Sequence, residues 1–142
     1  MVDKETFKHN NHIEKWIKSI RKKLPELISE LYSNFLIYFK ENYKVPNEDI
    51  EILNSHHKEI ILTSCKLYEA FQLKKYNNKE PNRFTIDCLL ASCFWISCKW
   101  HTSIPIPGSA IACVMDTEAK DICKAELEVL FYLRFKLLKY SY

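Results

Sequence analysis

Residues 88–107 read CLLASCFWISCKWHTSIPIP. Up to Cys98 nearly every position is apolar or small; a lysine, a tryptophan and a histidine follow, and Pro105 and Pro107 break the run. An α-helix turns by ~100° per residue. Phe84, Ile86, Cys88, Leu89, Leu90, Ala91, Cys93, Phe94, Trp95, Ile96 and Cys98 therefore cover almost every side of a helix over 83–100, capped by Asn82 or Thr85. A helix apolar all round must be enclosed by other elements. This segment predicts an all-α bundle built around a central buried helix.

The rest of the chain supplies the enclosure. One glycine in 142 residues argues against a sheet protein, whose tight turns and bulges use glycine. Residues 11–23 place Ile13, Trp16, Ile17 and Ile20 on one helical face, with Lys15, Lys18, Arg21, Lys22 and Lys23 around the remainder. That basic side reads as the solvated face of a packed helix. Pro25 suits the first turn of a new helix, and Leu27, Ile28, Leu31, Phe35, Tyr38 and Phe39 form its stripe over 26–43. A short helical turn is expected at 48–54. The next helix, 56–76, starts after a cap at Asn54 or Ser55 and turns Ile60, Ile61, Ser64, Leu67, Tyr68 and Phe71 inward. A short helix over 109–115 follows the proline turn. The last helix, 117–133, is capped by Asp116 or Thr117 and buries Ile122, Ala125, Val129, Leu130 and Leu133. The count is one leading helix and five more.

Composition excludes several classes of function. Hydrophobic residues at 47% and charged residues at 27% make a globular chain, and its length fits one domain. No run approaches the ~20 apolar residues of a membrane span. The polar opening MVDKETFKHNNHIEKW is no secretory signal. The six cysteines form no CxxC pair, and Cys88, Cys93 and Cys98 step by five, about 140° apart in turn, so they do not converge on a metal. They read as small buried hydrophobes of a reduced intracellular protein, in cytoplasm or nucleus. His56 and His57 are neighbours ~100° apart and read as surface histidines. With one glycine there is no phosphate-cradling loop. Neither an enzyme, a cofactor, a metal site nor a small-molecule substrate is expected.

Two charges stand out of place. Glu126 lies within the apolar stripe of the last helix, four residues from both Ile122 and Leu130, where a carboxylate needs a partner. Lys99 ends the central helix, where the helix dipole favours a cation by about 0.3–1 kcal/mol. Singly, each has an ordinary explanation.

Together they carry a resemblance. LLASCFWISCKWHTSIPIP resembles the third helix of a cyclin box, a run of small and apolar residues leading to Ala/Ser-x-Lys and a proline-containing turn. ICKAELEVLFYLRFKL resembles the fifth, with Glu126, then Val129 and Leu130, then Leu133-Arg134-Phe135-Lys136-Leu137 in a Leu-x-Phe-x-Leu ending. EIILTSCKLYEAFQLKK is similar to the second, residues 26–43 to the first, and residues 11–23 to the helix that precedes many boxes. The resemblance spans about 11–137 and divides the chain into an N-terminal amphipathic helix (1–23), a single cyclin box (24–138) and a tail (139–142).

The resemblance implies a cyclin-like regulatory subunit. Such a subunit binds a cyclin-dependent kinase and holds its regulatory helix in the active position. Lys99 and Glu126 would hydrogen-bond the kinase backbone, with Trp100 and His101 beside them. Charge-assisted bonds of this kind are the strong ones. The pattern departs from the family in places. Trp100-His101 stand where many cyclins are acidic, Tyr68-Glu69-Ala70-Phe71 lack the usual Asp-Arg, and the arginine phrase of the substrate-docking patch is missing. Most cyclins carry two boxes, although single-box relatives of the phosphate-pathway type end similarly. The alternative is a cyclin-box or other helical-bundle interaction protein that works in transcription or binds partner helices. Net charge +3 and the lack of interleaved aromatic and basic residues make nucleic acid an unexpected partner.

Overall fold

The computed structural model describes the backbone of residues 4–134, and side chains from residue 15 onward except 16, 17 and 20. Among the described residues there are six helices and no strand: α1 (Lys4–Asn42), α2 (Asn47–Ser55), α3 (His57–Asn77), α4 (Ile86–His101), α5 (Gly108–Val114) and α6 (Ala119–Tyr132). The expected apolar face of Ile13, Trp16, Ile17 and Ile20, and the residues 135–142, lie outside the described set.

The enclosed helix is α4. Cys88 to Phe94 and Ile96 to Cys98 are buried, and α4 packs against α3, α5 and α6. Phe94 sits at its centre, edge-on to Phe35 at 5.6 Å and to Tyr32 at 6.3 Å, both from α1. Such pairs add about 0.5–1.5 kcal/mol to the area they bury. Small residues let the neighbouring helices approach, and their hydroxyls are satisfied on neighbouring carbonyls. Ser92 Oγ donates to the Cys88 and Ile122 carbonyls at 2.8 and 3.2 Å, and Ser97 Oγ to the Ile60 carbonyl at 2.7 Å. Each hydroxyl thus joins α4 to a neighbour and is itself satisfied. Thr85 caps α4 as the sequence predicts, accepting from the Cys88 amide at 3.2 Å.

Several sequence expectations are corrected. Pro25 starts no helix: α1 runs unbroken through it from Lys4 to Asn42, so the leading helix and the next are one and no break falls between residues 23 and 24. A proline inside a helix loses a hydrogen bond and costs about 3 kcal/mol. Leu24, immediately before it, is 4% exposed in the core, so packing overrides the local penalty. The turn at 48–54 is a full helix, α2. Asn54 and Ser55 lie inside it and cap nothing; Asn54 accepts from the Tyr32 hydroxyl at 2.7 Å. α6 starts after Glu118 without a side-chain cap, so neither Asp116 nor Thr117 caps it. Leu27 is exposed and falls outside the stripe that Ile28, Leu31 and Phe35 bury.

Cys88, Cys93 and Cys98 are buried as read, but Cys65 is half-buried and Cys113 and Cys123 are exposed. Burial pushes the Cys65 thiol up to about 11, with Glu69 adding to it, and lifts Cys93 and Cys98 further still. Thiols held protonated in this way are poor nucleophiles.

The scarcity of glycine shows at the helix ends. Lys79, Asp116 and Arg134 take the left-handed conformation, with φ of 55°, 51° and 54°. After α3 the Lys79 amide bonds the Tyr76 carbonyl and the Glu80 amide the Lys75 carbonyl, each at 3.0 Å. This is the paired bonding that usually places glycine at the Lys79 position.

Candidate functional site

Lys99 and Glu126 meet on the surface between α4 and α6. Lys99 Nζ hydrogen-bonds Glu126 Oε2. The lysine side chain is 43% exposed and the carboxylate 14% exposed. Below them lies a shallow cavity of about 150 Å³ lined by Ile96, Lys99, Trp100, Glu126 and Leu130. Trp100 is exposed at its rim; Leu127 and Phe131 are also exposed on α6, but Phe131 lines a separate cavity with Lys74, Glu80 and Tyr132. A fixed donor and a fixed acceptor thus flank an apolar depression, a geometry suited to a polypeptide backbone carrying one apolar side chain.

The lysine is positioned from behind. Its Nζ lies 3.7 Å from the Trp95 ring centroid, one helical turn earlier. Trp95 Nε1 donates to the Ile106 carbonyl at 2.8 Å, and its ring lies 3.4 Å from where a Cβ on Gly108 would stand. The proline turn and the start of α5 therefore clamp the ring that carries the lysine. Sequence reading placed Trp95 among the core residues and missed this role. The available signal was its i, i+4 spacing to Lys99, the separation at which helical side chains meet.

Of the four residues that the sequence singles out, Lys99, Trp100 and Glu126 share this cavity. His101 turns toward α3: its Nε2 and Thr63 Oγ1 are 2.7 Å apart, and its ring stacks on His56 with centroids 6.5 Å apart. Burial, and secondarily His56, hold the His101 imidazole below its ordinary range, against the opposing pull of Glu59. One Glu59 carboxylate oxygen is buried with no hydrogen-bond partner. His57 packs against Tyr32 with the rings tilted at 46° and centroids 4.4 Å apart. No group of three His, Cys, Asp or Glu residues able to hold a metal ion occurs among the described residues. No helix there is long and apolar enough to cross a membrane.

A second charged cluster ties α3 to α6. The Lys75 side chain is 4% exposed, with Nζ 2.5 Å from Glu128 and 3.7 Å from Glu80, and it lies 4.3 Å from the Tyr132 ring centroid. Lys74 donates to the Tyr132 carbonyl at 3.0 Å, and the Tyr132 hydroxyl donates to Glu80. These contacts fix the C-terminal end of α6, and with it the height of Glu126.

Neither a scan against protein-family models nor searches of curated proteins and of solved structures gave a match.

Proposed function

We propose that this chain is a cyclin-like regulatory subunit that binds and activates a cyclin-dependent kinase. One observation carries the reading: Lys99 and Glu126, 27 residues apart in sequence, hydrogen-bond each other over an apolar depression on the surface. They come from the two helices whose sequences resemble the third and fifth of a cyclin box. In the free chain each charge satisfies the other; on binding, both turn to the partner's backbone. Ile96, Trp100 and Leu130 supply apolar contact around them. Catalysis belongs to the kinase, and this chain contributes contacts that favour its active conformation.

The test is capture of cyclin-dependent kinases on the immobilised chain, identified by mass. The native chain is compared with a Lys99→Ala/Glu126→Ala variant whose helicity is verified by circular dichroism. Removing one member of such a pair typically costs about 2–5 kcal/mol of binding, so the variant loses at least tenfold in captured kinase. No kinase on the native chain refutes the reading.

A further inference from the structure

A cluster that the kinase reading does not use lies where the end of α4 meets the start of α3. It holds two histidines, a carboxylate and a hydroxyl. His56 stands at the head of α3 and already joins its ladder, its carbonyl accepting from the Ile60 amide at 2.9 Å. At ~100° per residue, His56, Glu59 and Thr63 lie within about 60° of one another and form a row on one side of α3. His101 is the last residue of α4, and it meets both outer members of that row. Its Nε2 is 2.7 Å from Thr63 Oγ1, and its ring stacks on His56. Glu59 stands between those two contacts, and one of its carboxylate oxygens is buried without a hydrogen-bond partner.

Hydrogen-bond accounting gives this arrangement a purpose. A neutral imidazole has one donor nitrogen and one acceptor; an imidazolium has two donors. The Thr63 hydroxyl serves Nε2 in either state, because it can give or receive. The added proton creates a second donor, which needs a second acceptor. The orphaned Glu59 oxygen is that acceptor, and leaving it unpaired is costly. Burial and His56 disfavour charge on the His101 ring, while Glu59 favours it. These two α3 residues are the charged or titratable groups that act on the ring. On α4 itself Lys99 lies about 160° away round the helix, and it is held by Glu126 of α6. Lys58 is exposed, and Tyr32 of α1 packs on His57.

We propose that His101 is a proton-operated latch: neutral, it holds Thr63 alone; charged, it donates to Glu59 as well, and the last turn of α4 is anchored anew. That turn is tightly bonded, since the amide and hydroxyl of Thr102 both donate to the Cys98 carbonyl, at 3.0 and 2.9 Å. A shift of His101 is therefore passed along it to Trp100 and Lys99. The consequence for binding rests on the kinase reading; the latch itself does not.

The test is an NMR titration of the full chain between about pH 8 and 5, the range in which histidine titrates. It follows the His101 ring and the backbone amides of residues 99–102. These amides shift with the midpoint of the ring. Glu59→Gln keeps the side-chain shape and removes its charge, and it moves the midpoint to lower pH. His56→Gln moves it to higher pH. Circular dichroism verifies that both variants fold. A midpoint that ignores Glu59→Gln overturns the proposal, and so do amides that stay still while the ring titrates. Both readouts come from the free chain and kinase capture is measured apart, so latch and binding surface can fail separately.

Discussion

The Lys99 ammonium rests 3.7 Å above the ring of Trp95, on the side of α4 that faces Glu126. A cation on a surface helix is ordinarily free to sweep through solvent. Here an aromatic face, a carboxylate and the backbone carbonyl that anchors the indole restrict it to one position before any partner arrives. This restriction reduces the side-chain entropy lost on binding, about 0.5–1.5 kcal/mol for a long flexible side chain.

Trp95 and Lys99 are therefore energetically coupled. In a double-mutant cycle by urea unfolding, Trp95→Phe, Lys99→Met and the pair together give a coupling of about 0.5–1 kcal/mol. Trp95→Phe alone costs about 1 kcal/mol more through the lost bond to the Ile106 carbonyl. Additive single effects would show that the lysine does not rest on the ring.

Pro25 lies inside α1 against its local preference. Pro25→Ala returns an amide to the helix and removes the ring's clash with the preceding turn. The variant is expected to be more stable by about 1–3 kcal/mol, seen as a rise of several degrees in the thermal midpoint. A fall would mean that the proline ring is needed in the contact between α1 and α3.

Lys75 and Glu128 form the most enclosed ion pair among the described residues. Glu128→Ala leaves the ammonium buried with Glu80 as its nearest carboxylate and is expected to cost about 3 kcal/mol in urea unfolding. Lys75→Met/Glu128→Leu, which removes both charges, falls within about 1 kcal/mol of the native chain. A double variant as unstable as the single one would assign the loss to packing, not to the stranded charge.

His101 makes stability depend on pH. Its imidazole is held below the ordinary value of 6.5, first by burial and then by His56, against the pull of Glu59. The folded chain therefore takes up this proton less readily than the unfolded chain. The contribution is complete above about pH 6.5 and is lost as pH falls through the lowered folded value. Thermal midpoints between pH 7.5 and 5 should decline less for His101→Gln than for the native chain. Parallel declines would place the sensitivity on other groups.

How much of this was legible in the sequence depends on the range of the interaction that decides it. The central helix was readable because a run apolar on every side has one physical outcome. The inward sets of α3 and α6 followed from the same periodicity, and Lys99 and Glu126 were marked as site residues by a charge at the end of an apolar helix and another within an apolar stripe, although their bond to each other needed the structure. Pro25 misled because its local preference opposes a helix, and only the burial of Leu24 and Ile28 shows why the helix continues. Asn54 and Ser55 looked like caps because their side chains suit that task, but α2 extends through both. Glu128 gave no sign of its partner, since Lys75 lies 53 residues away and sits on the same helix as several solvated lysines. Trp95 carried a local signal, four residues before Lys99, that its bulk and apolarity concealed.

The unbroken passage of α1 through Pro25 makes that helix a strut. Its 39 residues extend about 58 Å, and the half from Leu24 onward supplies core side chains to the bundle. Its front end cannot swivel as a tethered arm would. Residues 15–23 are therefore held at a set distance and angle from α4 and α6. Two glycines near residue 23 would cut that strut and free its front end from the alignment that the core half imposes.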